Sequence, residues 1–194
     1  MNKITQISLM VLAVVALFSC NRQVTRINPD QQVDLSGRWN DTDSKLVAEE
    51  MIKDVIGRPW HNNFRIEQSR KPTVIVGYVQ NKSTEHIESE TFIKDVEREF
   101  INSSFVRVVS NAEFREKLRE ERAEQGEFAS QETQAKWGKE LGADFMMFGV
   151  ITAVTDSYKK EKIVNYKVNL ELSSIETNEK VWIGDKEIKK YIKN

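Results

Sequence analysis

Apolar residues along this chain recur with two periods, and the segments between them are rich in charge and turn formers. Val47, Ala48, Met51, Ile52, Val55 and Ile56 recur at i and i+4, forming one helical stripe that stops at Gly57-Arg58-Pro59. Asp41 stands where the N-cap of that helix is expected. Trp60 to Arg70 has no clear period, and Pro72 to Val79 is a β-rich apolar run that predicts the first strand. Phe92, Ile93, Val96, Phe100 and Ile101 share one face of a second helix, broken by Asn102-Ser103-Ser104 before a strand predicted over Phe105 to Val109. Strand, helix and strand at this spacing imply a parallel, right-handed crossover.

Ser110 with Glu113 matches a capping box, opening a third helix on which Phe114 and Leu118 are the only large apolar residues before a charged run. Ser130 can cap a further helix, Gln131 to Leu141, with Trp137 and Leu141 at i and i+4. Gly142 is placed to end that helix in the left-handed conformation. Phe145 to Ile151 then carries no polar side chain on either face, which predicts a central strand covered from both sides. Asp156 to Lys162 is a charged connection. Beyond it Tyr166, Val168, Leu170 and Leu172 alternate with polar residues, the period of a half-buried strand, and Thr177-Asn178 turns the chain into Val181-Trp182-Ile183. The prediction is a single α/β domain over residues 36–194, with a mixed sheet of about five strands flanked by helices and closed by an antiparallel meander.

Composition supports a globular chain: 194 residues, 39% hydrophobic and 30% charged. The N-terminus changes the picture. Lys3 supplies a positive n-region, and Leu9 to Phe18 is an uncharged apolar run too short for a bilayer that needs about 20 apolar residues. Residues 1–19 therefore read as an export signal. Leu17-Phe18-Ser19-Cys20 resembles the bacterial lipobox, with an aliphatic residue at minus three, a small residue at minus one, and a cysteine to be lipidated. Cys20 is the chain's single cysteine, so no disulfide forms within one chain. Residues 20–35 are expected to be the lipidated cysteine and a flexible tether, the sequence being polar from Asn21 to Val33 and interrupted by Pro29. At about 3.5 Å per residue that stretch reaches on the order of 45 Å at most. Loss of residues 1–19 leaves 28 of the 29 basic residues against 30 acidic ones. Such a mixed-sign surface lacks the basic footprint of nucleic-acid binding.

Little in the sequence suggests chemistry. The eight glycines are scattered and none forms a phosphate-cradling loop. His61, His86 and Cys20 have no metal-ligand spacing. Glu85 beside His86 is conceivable as an acid/base pair, but a polar loop that caps the strand and the next helix is the better reading. The charged run from Arg115 to Glu124 reads as a solvated helix face with i,i+4 pairs, and Trp137 and Trp182 as core. No enzyme activity, metal or cofactor is expected.

Five stretches carry a family resemblance: Asp34-Leu35-Ser36-Gly37-Arg38-Trp39-Asn40-Asp41-Thr42-Asp43; Arg70-Lys71-Pro72 with Gly77; Asn81-Lys82-Ser83-Thr84-Glu85-His86-Ile87; Gly138-Lys139-Glu140-Leu141-Gly142-Ala143-Asp144-Phe145; and Val181-Trp182. Through them the chain resembles the penicillin-binding protein activator LpoB family, whose globular domain is similar to the N-terminal domain of TolB. The resemblance implies a non-enzymatic, periplasm-facing outer-membrane lipoprotein that stimulates a bifunctional peptidoglycan synthase. The tether here is short and lacks the proline-rich segment of enteric members. The rivals are a cell-wall hydrolase and an assembly lipoprotein of a secretion or curli-type pore. Asn21 beside Cys20 resembles the pattern sorted to the outer membrane. The expected partners are a penicillin-binding protein and, through the lipid, the membrane; the expected state is a monomer. Polar residues on a strand-terminal loop are free for recognition, so Asn81, Ser83, Glu85 and His86 are the candidate docking residues.

Overall fold

The computed structural model describes residues 24–28, 31–128 and 140–193, the backbone alone at 126–128. The chain divides into two units, residues 1–32 and 33–194. The described residues of the first hold neither helix nor strand; Gln31 N–H donates to the Asn28 carbonyl across a turn. The second contains α1 (Asp41–Ile56), α2 (Trp60–Gln68), β1 (Thr73–Asn81), α3 (Ser89–Ser103), β2 (Arg107–Val108), α4 (Ala112–Phe128), β3 (Phe145–Tyr158), β4 (Glu161–Ser174) and β5 (Lys180–Lys193). The strands form one mixed sheet in the order β2-β1-β3-β4-β5. β1 is parallel to both β2 and β3, and β3, β4 and β5 form the expected antiparallel meander.

α1 buries Val47, Met51, Ile52 and Val55, and α3 buries Phe92, Val96 and Phe100; these faces meet each other and one side of the sheet. There they join Val74, Val76, Met147, Ile151 and the alternating Val164, Tyr166, Val168, Leu170 and Leu172 of β4, all essentially buried. Trp182 closes this core, its indole N–H donating to Asp54 at 2.8 Å. Asn40, rather than Asp41, caps α1: its side chain accepts from Asp43 N–H at 3.1 Å while Asp43 accepts from Asn40 N–H at 2.9 Å, a reciprocal box. Likewise Asn111, not Ser110, caps α4, accepting from Phe114 N–H at 3.1 Å.

β3 is central, but only one of its faces is fully buried. Phe145, Met147 and Ile151 face the helices, whereas Met146, Phe148 and Val150 on the other face are half-buried and Val154 is exposed. The apolar run therefore reflects a strand with one apolar face against the core and a second, partly open one, where Tyr78 stacks on Phe148 with ring centroids 6.2 Å apart. The predicted charged connection at 156–162 is mostly strand. β3 and β4 pair as far as Tyr158 and Glu161, leaving Lys159 (φ +55°) and Lys160 as the turn. β2 is shorter than predicted, with Phe105 exposed. α2 lies in the stretch without a period: Trp60 and His61 are its only buried residues. Gly142 is not left-handed; Gly37 is the one described glycine with positive φ. The predicted helix 131–141 and Trp137 lie largely or wholly outside the described residues.

Gly149 shows how tightly the meander is built. A β-carbon there would lie 2.2 Å from the Asn169 carbonyl oxygen of the paired strand, a backbone atom that cannot swing aside. Gly149→Ala is expected to cost about 3 kcal/mol in urea unfolding, from overpacking. Gly142→Ala, whose new methyl would meet nothing within 4 Å, should stay within about 0.5 kcal/mol of the parent.

Candidate functional site

The four candidate docking residues come together on the loop that leaves β1, beside the middle of β3, where Lys82 N–H donates to the Ile151 carbonyl. The loop is built by its own side chains. Asn81 Oδ1 accepts from Ser83 N–H at 2.9 Å and from the Ser83 hydroxyl at 2.7 Å, and Asn81 Nδ2 donates to the Glu85 carbonyl at 2.8 Å. This is an Asx turn, the local use to which a short polar side chain is suited. Ile87 anchors the far end in the core.

Glu85 is not free. Its Oε2 accepts from the Tyr166 hydroxyl at 2.6 Å and from Trp39 N–H at 3.3 Å. Burial, and then the hydrogen bond to Glu85, push the Tyr166 phenol well above its ordinary pKa. Among the described residues no hydrogen bond or ion pair joins Glu85 to His86. His86 has an exposed ring 3.8 Å from Glu88. Of the four residues, then, Asn81, Ser83 and Glu85 shape the loop and His86 alone presents its side chain outward.

Glu85 belongs to a clasp that sequence reasoning did not find. Trp39 lies edge-on to Tyr166 and Phe92, at 5.5 and 6.5 Å between centroids, and its indole N–H donates to Ser44 at 2.8 Å. Next to it the Lys190 ammonium, nearly buried, donates to Asp34 Oδ1 at 2.5 Å, Asp43 Oδ2 at 2.6 Å and the Arg38 carbonyl at 2.9 Å. An ammonium has three donors, and all three are matched. Burial would lower the lysine's pKa, but the bonds to Asp34 and Asp43 outweigh it and hold the pKa above its ordinary value. Gly37 completes the segment with φ +67° against Ile192, whose Cγ1 would sit 2.4 Å from any added β-carbon. The one available signal was the inward phase of Lys190 on β5, in register with buried Val164.

A second clasp joins two other stretches. Arg70 grips Asp144 with two bonds of 2.7 and 2.6 Å and lies over the Phe64 ring, while Asp144 accepts from Thr73 N–H at 2.8 Å. Burial pushes the Asp144 carboxyl up, but Arg70 and Thr73 win and hold it low. Asp144 thereby pins the start of β3 to the start of β1. At this end of the sheet α2 and the β4–β5 turn enclose a groove of about 660 Å³, lined among others by Trp60, Phe64, Phe145, Ile175 and Glu179. It offers no nucleophile beside a base, and among the described residues no three His, Cys, Asp or Glu side chains are grouped to hold a metal.

Glu85→Ala strips Tyr166 and Trp39 of their shared acceptor and should cost about 1–3 kcal/mol, whereas His86→Ala should stay within about 0.5 kcal/mol; urea melts separate them. The pH dependence of stability follows from these shifts. Asp34, held low first by the Lys190 hydrogen bond, and Asp54, held low first by Trp182, join Asp144 in having folded pKa values below the unfolded ones. Their stabilisation is present above about pH 4 and is lost as pH falls further. Lys190 and Tyr166 have raised folded values, so their contribution is full below about pH 10 and is lost as pH rises beyond it. Thermal melts across pH should show a plateau bounded on both sides, and Lys190→Met should remove the lysine's share of the alkaline limb and leave that of Tyr166, while costing on the order of 3 kcal/mol by leaving buried Asp43 without its cation.

Comparison with known proteins gives the chain a family. No curated protein sequence matches the chain. Among solved structures it is similar to the LpoB C-terminal domain from Salmonella enterica, at 11% identity over 75% of this chain and 98% of that one, with a TM-score of 0.45. It is also similar to the LpoB C-terminal domain from Escherichia coli, at 12% identity over 78% and 99%, with a TM-score of 0.45. A lipoprotein from Neisseria meningitidis aligns at 12% identity over 62% and 83%, with a TM-score of 0.40. The model of the peptidoglycan-synthase activator LpoB family matches residues 43–188, well over half of the chain, and so this chain belongs to that family.

Proposed function

We propose that this chain is a periplasm-facing lipoprotein, held in the outer membrane through Cys20, that binds a bifunctional penicillin-binding protein and raises its rate of peptidoglycan synthesis without chemistry of its own. The family match over residues 43–188 is the observation that carries the reading. The lipobox at Leu17 to Cys20 supports the anchor. Among the described residues no helix is long and apolar enough to cross a membrane. The short tether limits reach, so the synthase would project toward the anchor. We place its docking on the loop 81–87. Asn81, Ser83 and Glu85 act there by fixing the loop's shape, and exposed His86 and Lys82 make the contact. A loop already held by its own hydrogen bonds gives up little entropy on binding.

The test uses the full chain in detergent with the cognate synthase. Synthase turnover should rise on addition, while the chain alone turns over no peptidoglycan. Intrinsic cleavage would mean a hydrolase, and ring-shaped particles with no stimulation a pore-assembly component. His86→Ala should reduce stimulation with the melting temperature unchanged; undiminished stimulation moves the interface elsewhere. In cells, Cys20→Ala should shift the protein from the outer-membrane to the soluble fraction, and an unchanged distribution would end the anchoring proposal.

A further inference from the structure

β5 is an edge strand of 14 residues. Among the described residues no backbone hydrogen bond is made from its outer side, so a row of amides and carbonyls stands ready to pair. Proteins commonly block such an edge with lysines, and β5 has two on its inward phase, Lys186 and Lys190. Both are neutralised within the chain, Lys186 by Glu50 and Lys190 by Asp34 and Asp43. They are therefore poor guards against an incoming strand.

The outward phase carries the stronger signal. Ile183, Asp185, Glu187, Lys189 and Tyr191 pair with Glu171, Asn169, Lys167, Asn165 and Ile163 on the sheet face away from the core, and Ile183 and Tyr191 are 62% and 60% exposed. Read backwards, this series complements itself. When β5 lies antiparallel to a copy of itself with Glu187 opposite Glu187, Asp185 of each strand faces Lys189 of the other, and Ile183 faces Tyr191. On the inward phase Lys186 meets Ile188 and Gly184 meets Lys190, so no lysine opposes a lysine. The one like-charged pair, at the two-fold axis, is tempered because each Glu187 is held by its own Asn165 at 3.1 Å and Lys167 at 3.3 Å. Opposite charges and apolar partners across an antiparallel pair stabilise it, and a closed two-fold contact uses the edge without leading to fibres.

We propose that a second copy of this chain adds to the outer edge of β5, antiparallel and two-fold symmetric about Glu187, to give a dimer with one continuous sheet. This departs from the monomer expected from the sequence, and it does not depend on any synthase. The register supplies its own test, because a residue on the two-fold axis meets itself. Directly opposed residues have α-carbons about 4.5–5.5 Å apart, inside the range a disulfide spans. The full chain in detergent, with Cys20 as its single native cysteine, is oxidised with copper-phenanthroline as Glu187→Cys. The expected result is a reducible shift from the mass of one chain to twice that mass, well above the parent chain. Ile183→Cys and Tyr191→Cys should each stay monomeric alone and cross-link when mixed before oxidation. A Glu187→Cys chain that cross-links no more than the parent overturns the proposal. So does Ile183→Cys linking to itself as readily as Glu187→Cys, which would report random collision. In cell membranes, an adduct of the Glu187→Cys chain with any mass other than twice the chain's would assign the edge to another protein's strand and likewise overturn it.

Discussion

The placement of Lys190 decides where the N-terminal segment of the domain goes. Taking an ammonium out of water costs several kcal/mol, and a lone carboxylate partner rarely offsets it. Here two carboxylates and a carbonyl match all three donors, and two of those acceptors lie on the segment from Asp34 to Arg38. An apolar side chain of equal size would cover the same area without selecting those groups. The charge thus gives the entering chain one path: past Gly37 in a left-handed turn against Ile192, then to Trp39 between Phe92 and Tyr166, then into the Asn40 cap of α1. Glu85 reads the same path from the other side, through Trp39 N–H and the Tyr166 hydroxyl. Helix start, loop 81–87 and the middle of β4 are consequently set by one connected polar network, whose members reinforce one another in a low-dielectric setting.

The stretches that carry the family resemblance acquire a physical meaning from this arrangement. The Asp34 to Asp43 segment and the Asn81 to Ile87 loop meet at Glu85, and Arg70 meets the Asp144 of the Leu-Gly-Ala-Asp junction. Trp182 reaches Asp54 of α1 from the last strand. Each pair joins residues distant in sequence. What looks like a list of signature residues is the set of cross-links that fixes the ends of the sheet and the entry of the chain.

How much of this could be read in advance depended on burial. β4 was legible because one face is core and the other polar, so its alternation is complete. The far half of the β3–β4 hairpin was not, because from Val154 onward both faces of β3 are exposed and nothing requires apolar residues; paired backbone alone carries Asp156, Ser157 and Lys162 as strand. Phe145 to Ile151 suggested two covered faces, since an apolar run records hydrophobicity and not what packs upon it. α2 escaped because only its first turn is buried, although Pro59 before it and Trp60 with Phe64 at i+4 were usable cues. The caps were misplaced by one residue where neighbouring polar side chains compete, and only the reciprocal acid at the third position separates Asn40 from Asp41.

Polarity in the candidate loop is not freedom to bind: Asn81 and Ser83 spend their hydrogen bonds on the turn and Glu85 on the clasp. Polar residues in a loop answer first to the unpaired backbone groups that a loop creates. The exposed side chains that remain, His86 and Lys82, are the ones we propose for recognition, on a backbone those bonds have stiffened. The same logic applies to the sheet edge. β5 uses its inward lysines within the chain, at Glu50, Asp34 and Asp43, and what stays available is the backbone row with its self-matching outer face. In both places the surface we propose for partners is what remains after the fold has satisfied its own buried polar groups, and polarity along the chain does not mark it.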